Sequence, residues 1–429
     1  MSLYAKMLIK NSVFPRKWIV FANVFWLSAA STISQGFIAI SLLITARWLG
    51  PSGYGQYSAS LALTRLTAIF FNLGLDTWLL REGRRNERPL GITIASILGI
   101  KFIFGIMWLF LLLLLSCFLD HKIYPVSLLC ASAAVTWIEA ALSTITQGFN
   151  VSLKNHLTLV LAVISSASLF ISTLGLAFLQ QNEPICFMLL RLLIGFAVAG
   201  VGLSWLARAS VFVPDYAYVP PILLRSLPFA VSDALLIIYT QIDIILVAIL
   251  LDSQSAGLYS SASGILRAAF VVPSSVYSVM TPLLSQLASD RNFPLFARAV
   301  WRTYFSLFVI GLGLWFGMFL GGPPGVSLIL REGFATTGKV LTILSVILLI
   351  KSCSYASAAV IIATNQQNWR VVVQGVVAFA NIGLNLLFIP RYGVFGAAWV
   401  YVISEASLLI GYIIFAMRGY AALKSLKVS

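Results

Sequence analysis

About twelve stretches of predominantly apolar residues, each near the ~20 residues that carry a helix across a bilayer, divide this chain from end to end. They cover roughly 20–46, 57–80, 90–119, 126–148, 157–180, 185–207, 228–251, 257–280, 303–320, 339–362, 371–389 and 397–417. In lipid every backbone N–H and C=O must be satisfied within its own segment, which selects helices. The residue alternation of a transmembrane β-barrel is missing. Only 10% of the residues are charged, where a soluble globular chain carries ~25%. The sequence therefore predicts an all-α polytopic membrane protein. Lys6, Lys10, Arg16 and Lys17, followed by Trp18–Leu27 and the small residues Ser28, Ala29 and Ala30, imitate a cleavable signal. Hydrophobicity continues to Ala46, so the region is expected to remain as the first span.

The net charge of +15 would suggest nucleic acid in a soluble chain, but the basic residues sit in short polar breaks, and no soluble segment carries an aromatic and basic groove. The two termini and the even-numbered breaks hold Lys6, Lys10, Arg16, Lys17, Arg81, Arg84, Arg85, Arg88, Lys154, Arg208, Arg225, Arg291, Arg298, Arg302, Arg370, Arg418, Lys424 and Lys427. The opposite side holds only Arg47, Lys122, Arg331, Lys339 and Arg391. This sorting predicts cytoplasmic termini. The widest breaks, near 208–227 and 321–338, leave no room for a soluble catalytic domain. Gly321, Gly322, Pro323, Pro324 and Gly325 predict a turn-rich outer connection, with Val326–Leu330 a short re-entrant piece. Cys117, Cys130, Cys186 and Cys353 are scattered singly, and His121 and His156 are isolated, so no disulfide or metal site is expected.

The chain also repeats itself. Gly55-Gln56-Tyr57-Ser58 with Arg65 is followed, 202 positions later, by Gly257-Leu258-Tyr259-Ser260 with Arg267. Six spans separate the copies, which gives them the same orientation. The expected architecture is two six-helix lobes, 1–207 and 228–429 joined by a linker at 208–227, related by an axis along the membrane normal. Transporters built from such repeats carry their substrate between the halves.

Arg47-Trp48-Leu49-Gly50-Pro51-Ser52-Gly53-Tyr54-Gly55-Gln56-Tyr57, running on to Asn72-Leu73-Gly74-Leu75-Asp76, resembles the opening of the polysaccharide biosynthesis (O-antigen) flippases. Gln241-Ile242-Asp243 with Ala256–Ala262, and Pro390-Arg391-Tyr392-Gly393, resemble the matching elements of their second half and last outer loop. The resemblance thus extends over essentially the whole chain. That family shares a superfamily with multidrug and toxic compound extrusion transporters and the lipid II flippase, whose usual fourteen helices exceed the twelve here. The resemblance implies alternating access and a non-enzymatic role. The implied cargo is an undecaprenyl-diphosphate-linked oligosaccharide, an O-antigen or exopolysaccharide repeat unit, moved from the cytoplasmic to the periplasmic leaflet. Expected partners are that glycan, the bilayer and other polysaccharide-assembly membrane proteins, with no nucleic acid.

Charges inside a bilayer cost about 2.5–3.5 kcal/mol on insertion scales and tend to face a wet cavity or one another. Arg65 and Arg267 lie about 15 Å along their helices and are expected to face each other across the lobe interface, with Lys101 and Lys351 extending a cationic cavity. Arginine forks suit a diphosphate. The competing reading is structural pairing, of Arg267 with Asp243 and of Lys101 or Lys351 with Glu139 or Glu405. Arg65 has no such partner in the sequence pattern, because Ser41 stands where Asp243 stands in the other half. Arg191 is expected to snorkel and Asp76 to be solvated. Asp233, Asp243, Glu139 and Glu405 are candidates for ion coupling or charge balance; no cofactor is expected beyond a possible H+ or Na+ gradient. Pro273 is a candidate hinge, a static kink being the alternative. Two functions stay open beside the flippase. One is an ion-coupled multidrug exporter, which needs an acidic cavity for cationic substrates. The other is a membrane glycan polymerase or glycosyltransferase, which needs a large outer loop or acidic loop motifs.

Overall fold

Two glycines decide where the longest helical stretches turn. Arg16–Thr67 is helical except at Gly50, whose φ of 69° and ψ of 175° suit a residue without a Cβ. Pro51 then opens the next helix, where its missing N–H costs nothing. Gly393, with φ 59° and ψ −142°, divides Gln367–Ser425 in the same way. The computed structural model describes residues 16–83, 88–209, 211–215, 218–290, 292–330 and 332–425.

Divided at these glycines, the described chain comprises twelve membrane helices. The first two are α1 (16–49) and α2 (51–67), the latter continued by Ile69–Asn72 and Leu75–Glu82. Then come α3 (Leu90–Ser116), α4 (Val126–Val151), α5 (Asn155–Phe178) and α6 (Pro184–Ala209). The second lobe has α7 (Val219–Leu250), α8 (Ser253–Ala269 and Val271–Ser289), α9 (Phe293–Ile329), α10 (Ala335–Ala363), α11 (367–392) and α12 (394–425). Large apolar side chains such as Phe110, Ile171, Leu193, Phe316, Leu387 and Ile414 are exposed, the expected outer surface of a bundle whose solvent is hydrocarbon.

Three features differ from the sequence-based expectation. Helix α9 runs unbroken through Gly321–Gly325, with Pro323 and Pro324 inside it, so the proposed turn and re-entrant piece are one continuous helix. Proline is tolerated in such helices because neighbours can re-satisfy the freed backbone groups. Here α10 packs close against the site, Gly338 lying beside Pro323 and Leu341 beside Gly322. Helix α7 begins at Val219 rather than 228, with prolines in its first turn, so helix fills part of the expected linker. Helix α8 bends by 41° at Phe270, three residues before Pro273, whose nitrogen has no hydrogen to donate to the preceding turn.

The packing is asymmetric from one end to the other. Toward the end holding the α1–α2 and α7–α8 turns, one apolar core joins both lobes, with Tyr54, Tyr57 and Ala62 alongside Val247, Tyr259 and Leu344. Toward the end holding the termini, two further cores form. One is built mainly from the first lobe around Trp78, Ile94 and Phe149, together with Ile222 of α7, and the other from the second lobe around Leu284, Phe296 and Tyr412. The lobes thus share one core at the first end; at the other they keep two cores, bridged by α7, whose Phe229 and Ala230 backbone packs against Gly74.

Candidate functional site

The fused end is drawn tight where α2 crosses α8. A Cβ added at Gly55 would collide with the Ser253 carbonyl, and one at Gly257 with the Pro51 carbonyl. Below this crossing lies a cavity of about 310 Å³ between the lobes. Its wall carries Arg65 from α2, Arg191 from α6 and Arg267 from α8, with Tyr54, Tyr57 and Gln241, and no carboxylate side chain among the described lining residues. Arg65 and Arg267, expected to face one another, share this one space.

Arg65 does have a partner: its Nη2 donates to Glu139 Oε2 at 3.0 Å. The other oxygen of Glu139 takes Arg191 Nη2 at 2.6 Å and Nε at 2.8 Å. One carboxylate therefore holds two guanidinium groups. The sequence offered no sign of this, because Glu139 lies on α4, outside the repeated motif, and Ser41 stands where Asp243 stands in the other half. Arg191 does not snorkel outward. It stands seven residues inside the start of α6, about 10 Å deep, and its Nη1 lies 3.4 Å from the Tyr57 hydroxyl. That depth was the available signal for Arg191. Arg267 is exposed to the cavity and has no hydrogen bond or ion pair among the described residues. Two arginines sharing one carboxylate, plus one unpaired, leave this space net positive.

A second cavity of about 290 Å³ adjoins within the C-terminal lobe and shares Arg267 with the first. Lys351 Nζ donates to Glu405 Oε1 at 2.6 Å, one of the pairings considered from sequence. Arg370, grouped by sequence with the loop charges, lines this cavity instead because α11 begins at Gln367 and carries it inward. The lobes use the same helix pairs with opposite polarity: acid on α4 and base on α6, base on α10 and acid on α12.

The remaining charges serve elsewhere. Lys101 lines neither cavity and does not reach Glu139. It is 2% exposed and donates to both oxygens of Asp76 at 2.9 Å and to the Ala140 carbonyl at 3.0 Å. Asp76 is paired and only 21% exposed because the chain turns at Leu73 and Gly74, both at positive φ, and folds Leu75–Glu82 against α4. Asp233 accepts from the Thr77 hydroxyl at 2.9 Å, linking α7 to the first lobe. Asp243 accepts from Tyr259 at 3.1 Å and Asn385 at 2.8 Å rather than from Arg267.

Pro273 alone does not explain the bend. Helix α2 breaks at Ala68, and α8 breaks at Phe270, positions equivalent under the 202-residue offset. The residue equivalent to Pro273 is Phe71, which cannot act as a proline does. Interrupting the helix just beyond the cavity arginine is therefore a property of the repeat.

The fold recurs in solved transporters. The inward-facing conformation of a multidrug resistance MATE family transporter of the MOP superfamily superimposes with a TM-score of 0.75 at 15% identity, covering 91% of this chain and 96% of that one. The lipid II flippase MurJ, in an inward closed conformation, gives 0.73 at 16% identity, covering 94% and 92%. The capsular polysaccharide biosynthesis protein CapF of Staphylococcus aureus is 23% identical over 412 residues, covering 92% of this chain and 99% of CapF. The family described as polysaccharide biosynthesis protein matches residues 20–288, well over half the chain. This protein belongs to that polysaccharide biosynthesis family.

Proposed function

We propose that this chain is a flippase that carries an undecaprenyl-diphosphate-linked oligosaccharide from the cytoplasmic to the periplasmic leaflet of a bacterial inner membrane. The observation that carries the reading is the placement of Arg65, Arg191 and Arg267 around one space between the lobes, with no carboxylate on its described wall. A diphosphate cannot cross hydrocarbon bare. Arginine forks, less strongly hydrated than ammonium groups, replace part of its water. A multidrug exporter of cationic compounds would need the opposite polarity, so the cavity favours the lipid-linked cargo.

The basic bias of the termini side assigns that side to the cytoplasm. The fused core and the Gly55–Gly257 crossing then face the periplasm, and the end with two cores faces the cytoplasm, the side from which this reading has the cargo load. Delivery requires the α2–α8 seam to part while the cytoplasmic ends approach. In this scheme Glu139 and Glu405 balance charge, and Asp243, buried without a cationic ion-pair partner, is the candidate for coupling to H+ or Na+.

The test is complementation of a strain lacking the chain with Arg65→Ala, Arg267→Ala and the double variant. Surface glycan and cytoplasmic-leaflet precursor are both scored. The expected result is loss of surface glycan and build-up of precursor with membrane expression retained. Normal surface glycan in the double variant removes the assignment.

A further inference from the structure

The second cavity is unlike the first in chemistry. Its wall carries four tyrosines, Tyr239, Tyr355, Tyr401 and Tyr412, together with Arg370, Gln374 and the Lys351–Glu405 pair. Three buried polar atoms on this wall have no hydrogen-bond partner among the described residues: the Tyr239 hydroxyl, Arg370 Nε and Glu405 Oε2. Glu405 is 0% exposed and Tyr239 8%. The Tyr239 hydroxyl and the Glu405 carboxylate lie close enough to interact with one another. Burying donors and acceptors unpaired is costly, and all three atoms belong to residues that line this one cavity.

A sugar ring matches that wall. Pyranose rings present C–H faces that lie against aromatic rings, and a belt of hydroxyls that both donate and accept. Tyrosine supplies a flat apolar face and a polar tip from one rigid side chain. Gln374, half-buried on that wall, can both donate to and accept from a sugar hydroxyl. The volume lies near the lower end of the roughly 300–1,000 Å³ of small-ligand sites, sufficient for the sugar nearest the diphosphate rather than a whole oligosaccharide. Arg267, on both walls, stands at the junction.

We propose that the tyrosine-lined cavity of the C-terminal lobe is a glycan subsite, which binds the sugar attached to the diphosphate while the interlobe arginines hold the diphosphate itself. The proposal rests on the flippase reading and adds to it a site where the sugar is read.

The test uses the full chain in lipid nanodiscs and two probes: undecaprenyl diphosphate, and the undecaprenyl-diphosphate-linked oligosaccharide extracted from cells lacking the chain. The wild type is expected to bind the glycan-bearing lipid about tenfold tighter than the bare one. Tyr355→Leu and Gln374→Ala are expected to bring that ratio close to unity while bare-lipid affinity stays within about twofold. Because bare-lipid binding reports a folded protein, and Gln374 is only partly buried, misfolding is separated from loss of the subsite. Arg65→Ala should weaken both probes. Equal wild-type affinity for the two lipids, a preference kept in both variants, or an equal loss of both lipids in both variants overturns the subsite and leaves the flippase reading standing. Binding of neither lipid by the wild type overturns the flippase reading itself.

Discussion

Ser58 and Ser260 share a hydrogen bond of 2.8 Å across the seam between the lobes, and they stand 202 positions apart. The same offset relates Arg65 to Arg267, Gly55 to Gly257 and the helix breaks at Ala68 and Phe270. A bond between repeat-equivalent residues places the pseudo-two-fold axis between them. One turn of sequence logic is thereby used twice: a glycine to let the helices touch, a serine to join them, an arginine to face the cavity, then a break.

If alternating access parts this seam, tying it should stop the cycle. With Cys117, Cys130, Cys186 and Cys353 replaced by serine, the pair Ser58→Cys and Ser260→Cys is expected to form a disulfide on mild oxidation. Surface glycan should fall to the level of the deletion strain and recover with reductant. Full activity with the disulfide formed would show that the α2–α8 seam stays shut throughout transport.

Lys101 is assigned to stability rather than cargo. Lys101→Met leaves Asp76, whose side chain is 21% exposed, without its cation, and a loss of about 1–3 kcal/mol is expected. A clear drop in the thermal midpoint of purified protein is expected, with much of it recovered on adding Asp76→Asn. An unchanged midpoint in Lys101→Met would mean the pair contributes nothing to folding.

The Lys351–Glu405 pair should behave as a coupled unit, since Glu405 is fully buried and Lys351 also sits 5.7 Å over the Tyr239 ring. In a double-mutant cycle, Lys351→Met and Glu405→Gln are each expected to destabilise, with a coupling of about 0.5–3 kcal/mol. Additive effects on unfolding would deny the interaction.

Much of this was legible because it was periodic. Twelve apolar stretches become twelve helices, and a short repeated motif is enough to bring Arg65 and Arg267 to one cavity. Pairings across unrelated helices were not legible. Glu139 reaches Arg65 and Arg191 from α4, and Asp76 reaches Lys101 only because Leu73 and Gly74 turn the chain back. The two glycines, two prolines and further glycine at 321–325 read as a turn by local propensity. In the fold their helix is continued by packing against α10, a tertiary effect that no local pattern encodes. Arg370 was misplaced for a simpler reason: a residue just inside a helix end and one just outside it look alike in sequence, yet only the former can point into a cavity.

Transbilayer movement in proteoliposomes tests the central claim most directly. The purified chain would be reconstituted with the extracted undecaprenyl-diphosphate-linked oligosaccharide, and the fraction of glycan accessible from outside followed in time. Wild-type protein is expected to move the lipid between leaflets, and the variant carrying Arg65→Ala and Arg267→Ala to do so at least about tenfold more slowly. Movement at the wild-type rate in that variant, or none with the wild type under an imposed proton or sodium gradient, would contradict the account.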